Sequence, residues 1–222
     1  MTEWTGIRER VLELKSAPLD AVFGARGHAF SLEDPLAPEE LAELEGQLGV
    51  QLPADYRAFL LEVGAGGAGP SYGVFPVRRL EESWRWFGDG ADLADLALVS
   101  QPFPGPIDAE LIAEVYSAEP DEDAFEDLDA LDAAHEAWEG QELQAIWTPD
   151  RTAGAICICH HGCAQREWLV VTGDVQGTIW RDDRPDGGNL TPTTIDGEPA
   201  TFGRWYMQWL REAEASALSW TS

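Results

Sequence analysis

The feature that most constrains the fold of this chain is a change in hydrophobic periodicity along its length. In the first 63 residues, apolar side chains recur at the three- and four-residue spacing of amphipathic helices, as Tyr56, Phe59, Leu60 and Val63 do. The same spacing returns near the C-terminus. Helices are predicted at about residues 5–16, 38–48, 54–63 and 202–213.

The second half of the chain has the composition of strands instead. Beyond Gln144, short apolar runs alternate with glycine and polar residues. Strands are predicted at residues 145–148, 155–159, 168–172 and 177–181, with an earlier one at 72–77, and residues 173–176 are hairpin-like. Helical faces need a sheet to cover them. We therefore predict a single α+β domain over residues 1–222, with a central, mainly antiparallel sheet packed by several helices.

Negative charge is concentrated in one third of the sequence. The chain has 41 Asp and Glu against 14 Lys and Arg, and residues 81–150 contain 20 of these acids with a single arginine. We interpret residues 81–143 as an acidic, insert-like region. Such a surface repels nucleic acid and anionic membranes and attracts cationic proteins, so we expect a protein partner and neither nucleic acid nor membrane.

The densest acidic stretch is predicted to hold a helix within residues 119–139, because Phe125, Leu128, Leu131, Ala134 and Trp138 keep one apolar side. The candidate partner-binding residues are Glu119, Asp121, Glu122, Asp123, Glu126, Asp127 and Asp129, followed by Asp132 and Glu136. Phe125 or Trp138 is a candidate apolar anchor. A calcium loop is not expected, since an EF-hand starting at Asp121 would place Glu126 where glycine is needed. A plain solvated helix face explains the same residues equally well.

Residues 157–163 contain the metal-binding and nucleophilic side chains of the chain: Cys157, Cys159, His160, His161 and Cys163. On a regular strand Cys157 and Cys159 would share a face about 7 Å apart, too far for one zinc ion. A Cys163 nucleophile with His160 or His161 lacks an evident third group, and no nucleotide-binding or hydrolase motif is present. We expect no cofactor, no metal and no enzymatic activity, and the metal question stays open for these five residues.

The location is predicted to be cytoplasmic. The first ten residues are charged and lack the apolar stretch of a signal peptide. No apolar run approaches the length of about 20 residues that a membrane helix requires. Three cysteines in one short window do not suggest a secreted disulfide framework.

Two ordered sets of residues resemble the SUKH superfamily, which includes bacterial toxin-immunity proteins and fungal cell-wall regulators. The first combines Leu41, Leu44-Glu45, Leu48-Gly49, Leu52-Pro53, Asp55-Tyr56-Arg57 and Phe59-Leu60 with a glycine-rich turn. The second combines Gly162-Cys163, Leu169-Val170-Val171-Thr172-Gly173, Gly177, Trp180, Phe202, Trp205, Trp209 and Leu210. Ala65 stands where the family often has Asn. The acidic region is also longer than a compact member needs.

The resemblance implies a binding protein built on a shared scaffold. The function expected from it is that of an immunity protein, which neutralises a basic toxin domain through the acidic surface. A housekeeping regulatory or scaffold protein that docks a cellular partner is the alternative. A small Cys/His hydrolase or metal protein is a third possibility.

Overall fold

The computed structural model describes residues 4–220, so residues 1–3 of the segment tested for a signal peptide lie outside the described part. Its α-helices are α1 (Ile7–Glu13), α2 (Ala25–His28), α3 (Pro38–Leu48), α4 (Ala54–Glu62), α5 (Ala109–Ser117), α6 (Leu128–Ala145) and α7 (Phe202–Trp220). Within residues 4–220, no helix combines the length and apolar character needed to cross a membrane.

The strands form three antiparallel sheets in the described chain. They are β1 (Val77–Leu80), β2 (Ser83–Trp86), β3 (Ala155–Gly162), β4 (Gln165–Val170), β5 (Ile179–Asp182), β6 (Leu190–Pro192), β7 (Thr194–Ile195) and β8 (Glu198–Pro199). The central sheet has the order β3-β4-β5-β6, and the pairs β1-β2 and β7-β8 are separate ribbons. The predicted α+β class with a mainly antiparallel sheet is confirmed.

The predicted helical stripes pack against this sheet as one core. Trp4, Ile7, Val11 and Leu14 are all buried, as are the leucines of α3. An aromatic cluster joins α4 to α7, where Phe59 lies 5.1 Å from Phe202 and 4.9 Å from Tyr206 between ring centroids. Edge-on and tilted ring pairs of this kind add to the stability gained from burial.

The glycine-rich turn at residues 64–70 is structural. Gly66 and Gly67 have φ angles of 124° and 112°, and a Cβ on Gly66 would lie 2.3 Å from the Cα of Pro76. Gly67 bridges to Val74, and Val74 bridges to Cys159 of β3. The turn therefore needs glycine because the backbone approaches its neighbours closely and adopts positive φ.

Several predicted boundaries are wrong. Residues 145–148 are not a strand, because α6 continues to Ala145 and Ile146 caps its end. The strand expected at 72–77 is reduced to the bridge at Val74, and β1 begins only at Val77. The acidic helix begins at Leu128, inside the predicted range 119–139, but continues beyond it to Ala145. Residues 119–127 form an extended segment with one 3₁₀ turn.

Helices α5 and α6 form a separate layer with its own small core. Ile107, Val115 and Ile146 are buried there, and Ile112 and Tyr116 pack on them. No residue of α6 is fully buried. This layer, residues 107–147, is called the acidic layer below, and its small core makes it depend on the sheet for support.

Candidate functional site

The seven predicted partner-binding residues all lie on the surface of the acidic layer. They occupy the loop after α5 and the first turn of α6, and every one of them is exposed: Glu119, Asp121, Glu122, Asp123, Glu126, Asp127 and Asp129. Asp132 and Glu136, on α6 itself, are exposed as well. These seven residues are called the acidic surface below.

Two residues of the acidic surface have local structural roles. The Asp127 side chain accepts a hydrogen bond from the backbone N–H of Asp129 and so caps α6 (3.2 Å). Asp121 caps the 3₁₀ turn in the same way, through the N–H of Asp123 (3.0 Å). Side-chain oxygens at these positions satisfy N–H groups that have no partner within the helix.

The charge of the acidic surface is not compensated by any cation of the described residues. None of its seven carboxylates forms an ion pair with a Lys, Arg or His of residues 4–220. Elsewhere many arginines are paired, for example Arg78 with Glu33 and Arg10 with Glu214. The field of the acidic surface therefore extends into solvent, weakened only by salt.

Arg184 holds the acidic layer on the central sheet. Its guanidinium forms two hydrogen bonds with the Asp182 carboxylate of β5, of 2.8 and 2.6 Å. Its remaining Nη donates to the carbonyl of Ile146 at the end of α6 (3.0 Å), and the group lies 4.5 Å from the Trp147 ring. Tyr116 of α5 donates to the Arg184 carbonyl (3.2 Å). One buried arginine thus connects both helices to the sheet.

The apolar side chains of the acidic layer differ in how far they are exposed to solvent. Trp138 is half-buried and its indole N–H donates to the Val115 carbonyl (2.8 Å), so it joins α6 to α5. Phe125 is also half-buried. Leu128, expected on the buried side, is 76% exposed, and Leu143 is 59% exposed. Two leucines of the layer are therefore open to a partner, while Trp138 is engaged within it.

The Cys/His segment lies on β3, and its two buried cysteines point to opposite faces. Cys157 pairs with Trp168, whereas Cys159 pairs with the adjacent residue Glu167, because a β-bulge at Ile158 shifts the register. The expectation that Cys157 and Cys159 share a face is therefore wrong. Without the bulge, Cys159 would stand opposite Arg166.

The bulge creates a cluster that the linear sequence did not reveal. The Sγ of Cys159, one ring nitrogen of His161 and a carboxylate oxygen of Glu167 all lie within 4.8 Å of one another. His161 Nε2 and Glu167 Oε2 are 3.0 Å apart. Glu167 was missed because it is on the neighbouring strand. Recognition of the β3–β4 hairpin, whose turn has positive φ at Cys163 and Ala164, would have placed it across from the cysteines.

The other members of the segment face elsewhere. His160 stacks on Tyr72 and lies 3.5 Å from Asp89, which also pairs with Arg166. Burial, followed by the positive charge of Arg166, lowers the pKa of His160. Cys163 is exposed in the hairpin turn. Cys163, considered as a nucleophile with His160 or His161, is not a member of the Cys159, His161 and Glu167 cluster.

Neither buried thiol is poised as a nucleophile. Burial raises the pKa of Cys157 to about 12. Burial and, next, the negative charge of Glu167 raise the pKa of Cys159 well above its usual value. The thiolate is the reactive form of cysteine, and buried thiols with raised pKa are inert.

Comparison with known proteins identifies the family. The model of the SMI1 / KNR4 family (SUKH-1) matches residues 35–189, from just before α3 to the residue preceding β6. No curated protein and no solved structure matches the chain. The matched region covers more than half of the chain and contains both the glycine-rich turn and the central hairpin. The chain therefore belongs to the SMI1 / KNR4 family (SUKH-1).

Proposed function

We propose that this protein is a non-catalytic, cytoplasmic immunity protein that binds a basic toxin domain through the acidic surface and thereby blocks it. The observation that carries the proposal is the set of seven exposed carboxylates that no described cation pairs. The SUKH family includes toxin-immunity proteins and regulators, and its domains bind partner proteins.

Electrostatics favours a cationic protein as the partner. Unpaired carboxylates on one face raise the rate of encounter with a basic surface and repel nucleic acid and anionic lipid. The same carboxylates resemble a run of phosphates in charge and in hydrogen-bond acceptors. A toxin domain that binds nucleic acid would therefore present a matching surface.

The structure of the layer supports the same role. The acidic surface lies in the loop between α5 and α6, in a layer that contributes little to the core around the central sheet, so its side chains can vary without disturbing the scaffold. Leu128 adds an exposed apolar side chain beside Asp127 and Asp129. Interfaces combine a small apolar centre with a polar rim, and such an arrangement is available here.

The test compares two sets of charge reversals. Glu119, Glu122, Asp123 and Glu126 are replaced by Lys, which leaves the two capping aspartates intact. The control variant reverses Glu9, Glu13, Asp174 and Glu198, which are exposed and far along the chain from the acidic layer. Both variants change the net charge equally, so non-specific charge effects cancel.

The immobilised proteins are incubated with lysate of the source cells at low and at high salt. We expect the wild type and the control to retain one basic protein, which high salt releases, and the acidic-surface variant to lose it. Co-expression should suppress the toxicity of that protein. Retention by the acidic-surface variant would contradict the proposed surface, and a non-toxic housekeeping partner would contradict the immunity role.

A further inference from the structure

We propose that Cys159, His161 and Glu167 form a binding site for one divalent transition-metal ion of the zinc type, on the core side of the β3–β4 hairpin. This inference is independent of the proposed function. It departs from the expectation that the segment binds no metal, which rested on Cys157 and Cys159 as a pair. The relevant residues are instead one thiol, one imidazole and one carboxylate from two strands.

The distances fit a single ion. With Zn–S of about 2.3 Å and Zn–N or Zn–O of about 2.0–2.2 Å, donor atoms of a tetrahedral site lie about 3.4–3.6 Å apart. Here the three donor atoms lie within 4.8 Å of one another, and the His161 Nε2 to Glu167 Oε2 distance is 3.0 Å. Small side-chain rotations therefore bring all three to bonding distance.

Two buried atoms of the cluster lack the partners that such atoms normally have. His161 Nε2 and Glu167 Oε2 are shielded from solvent and lie 3.0 Å apart, and neither has a hydrogen bond among the described residues. Glu167 is only 2% exposed. A buried carboxylate without full compensation is costly. A cation between the two atoms would satisfy both lone pairs.

Each donor is held in place by a neighbour. Ser71 Oγ lies 2.8 Å from His161 Nδ1, which leaves Nε2 free for the ion. Thr193 donates to the other oxygen of Glu167, Oε1 (3.2 Å). The contacts of Ser71 and Thr193 are of the kind that orient the imidazole and carboxylate ligands of metal sites. The Cys159 thiol donates to the Pro70 carbonyl (3.2 Å), and this bond is lost when the thiolate binds the ion.

The site is accessible from one side. The His161 side chain is 25% exposed, whereas Glu167 is shielded. Pro70, Ser71 and Thr193, which support the three donors, also line a cavity of about 410 Å³. The partly exposed His161 gives the ion a route from solvent, and water can complete a fourth position. When the ion binds, the Cys159 thiol loses its proton to solvent and the thiolate becomes a ligand.

Cobalt(II) and zinc(II) titrations of the purified full chain, after removal of metal with a chelator, test the proposal. We expect one equivalent of zinc by elemental analysis, a rise in Tm on zinc addition, and a thiolate-to-cobalt charge-transfer band. Glu167→Gln and His161→Gln should weaken binding by more than about 100-fold, and Ser71→Ala by about 10–100-fold.

The two other cysteines provide matched controls. Cys157→Ser changes an equally buried thiol on the opposite face of β3, and Cys163→Ser removes the exposed thiol. Both should keep the charge-transfer band, and Cys159→Ser should lose it. If Cys159→Ser fails to fold, the partly exposed His161→Gln still gives the answer. Binding without the band, or a band that survives Cys159→Ser or His161→Gln, would overturn the site and indicate ions held by surface carboxylates.

Discussion

The main core and the acidic layer differ in what their residues do. The main core combines α1, α3, α4 and α7 with the central sheet, and large aromatic side chains such as Tyr56, Phe59 and Tyr206 are fully buried in it. The acidic layer has three buried apolar residues and a long helix with none. Stability therefore resides mainly in the first region, and charge in the second. A scaffold organised in this way can change its binding surface at little cost to its fold.

The largest expected effect comes from the aromatic cluster. Phe59→Ala should lower the free energy of unfolding by about 3–5 kcal/mol, because it removes a fully buried ring and leaves a cavity. Leu131→Ala, at a half-buried position of α6, should cost about 1 kcal/mol or less. Urea denaturation measures both. Equal losses of unfolding free energy for the two variants would contradict the claim that stability resides mainly in the main core.

Arg184 is expected to link the two regions. Arg184→Met leaves the Asp182 carboxylate buried and unpaired, which should cost about 3 kcal/mol. Hydrogen exchange should show the loss of protection concentrated in α5 and α6. Arg181→Met, at an exposed ion pair on the same strand, should change stability by less than about 0.5 kcal/mol. Unchanged hydrogen exchange in α5 and α6 after Arg184→Met would contradict the role of Arg184 in anchoring the acidic layer.

How much of this was predictable differs between the regions. The stripes on α1, α3, α4 and α7 identify buried faces from sequence alone, because 3.6-residue spacing places those side chains on one side. The bulge that sets Cys159 opposite Glu167 was not predictable from local sequence, since it depends on the pairing of two strands. The same holds for Arg184, whose role depends on a carbonyl 38 residues away. The apolar run at 145–148 was misread as a strand because short apolar runs fit helix ends equally well.

The exposure of the acidic surface could be anticipated, but its local roles could not. Consecutive carboxylates are expected to be solvated. Which of them cap a helix depends on where α6 begins, and the apolar spacing confines the helix to residues 119–139 without fixing its start at Leu128. Sequence alone does not define the first residue of a helix when several neighbouring aspartates are all suitable N-caps.

A third prediction concerns pH and the main core. His28 is buried between Phe30 and Trp209, and burial lowers its pKa to about 4 from 6.5. Between these values the unfolded chain binds a proton that the folded chain does not. Stability therefore falls as pH drops from 6.5 towards 4, by about 1–3 kcal/mol.

The control for this prediction is His28→Gln, which removes the titrating group. The free energy of unfolding is measured for both proteins between pH 7 and 4.5. The difference between the two pH profiles is the contribution of His28, because carboxylate effects common to both proteins cancel. The variant should lose less stability on acidification than the wild type. Parallel curves for the two proteins would show that His28 is protonated equally well in the folded state.

The smallest effect is expected within the acidic layer itself. Asp127→Ala removes the cap of α6 and should cost about 1 kcal/mol. Glu126→Gln, one residue earlier and not a cap, should leave stability unchanged or raise it slightly, because it removes one of several like charges. Thermal unfolding at low salt compares them. A larger loss for Glu126→Gln than for Asp127→Ala would contradict the assigned roles.

The central claim is that the main core provides stability and the acidic layer provides the binding surface. It is tested most directly by measuring association and stability on the same protein. The variant with Glu119, Glu122, Asp123 and Glu126 changed to Lys is compared with the wild type and the control reversal, using the captured basic partner. We predict association slowed by at least about 10-fold and a weaker dependence on salt, with the free energy of unfolding within about 1 kcal/mol of the wild type. Unchanged association, or a protein that no longer folds, would contradict the account.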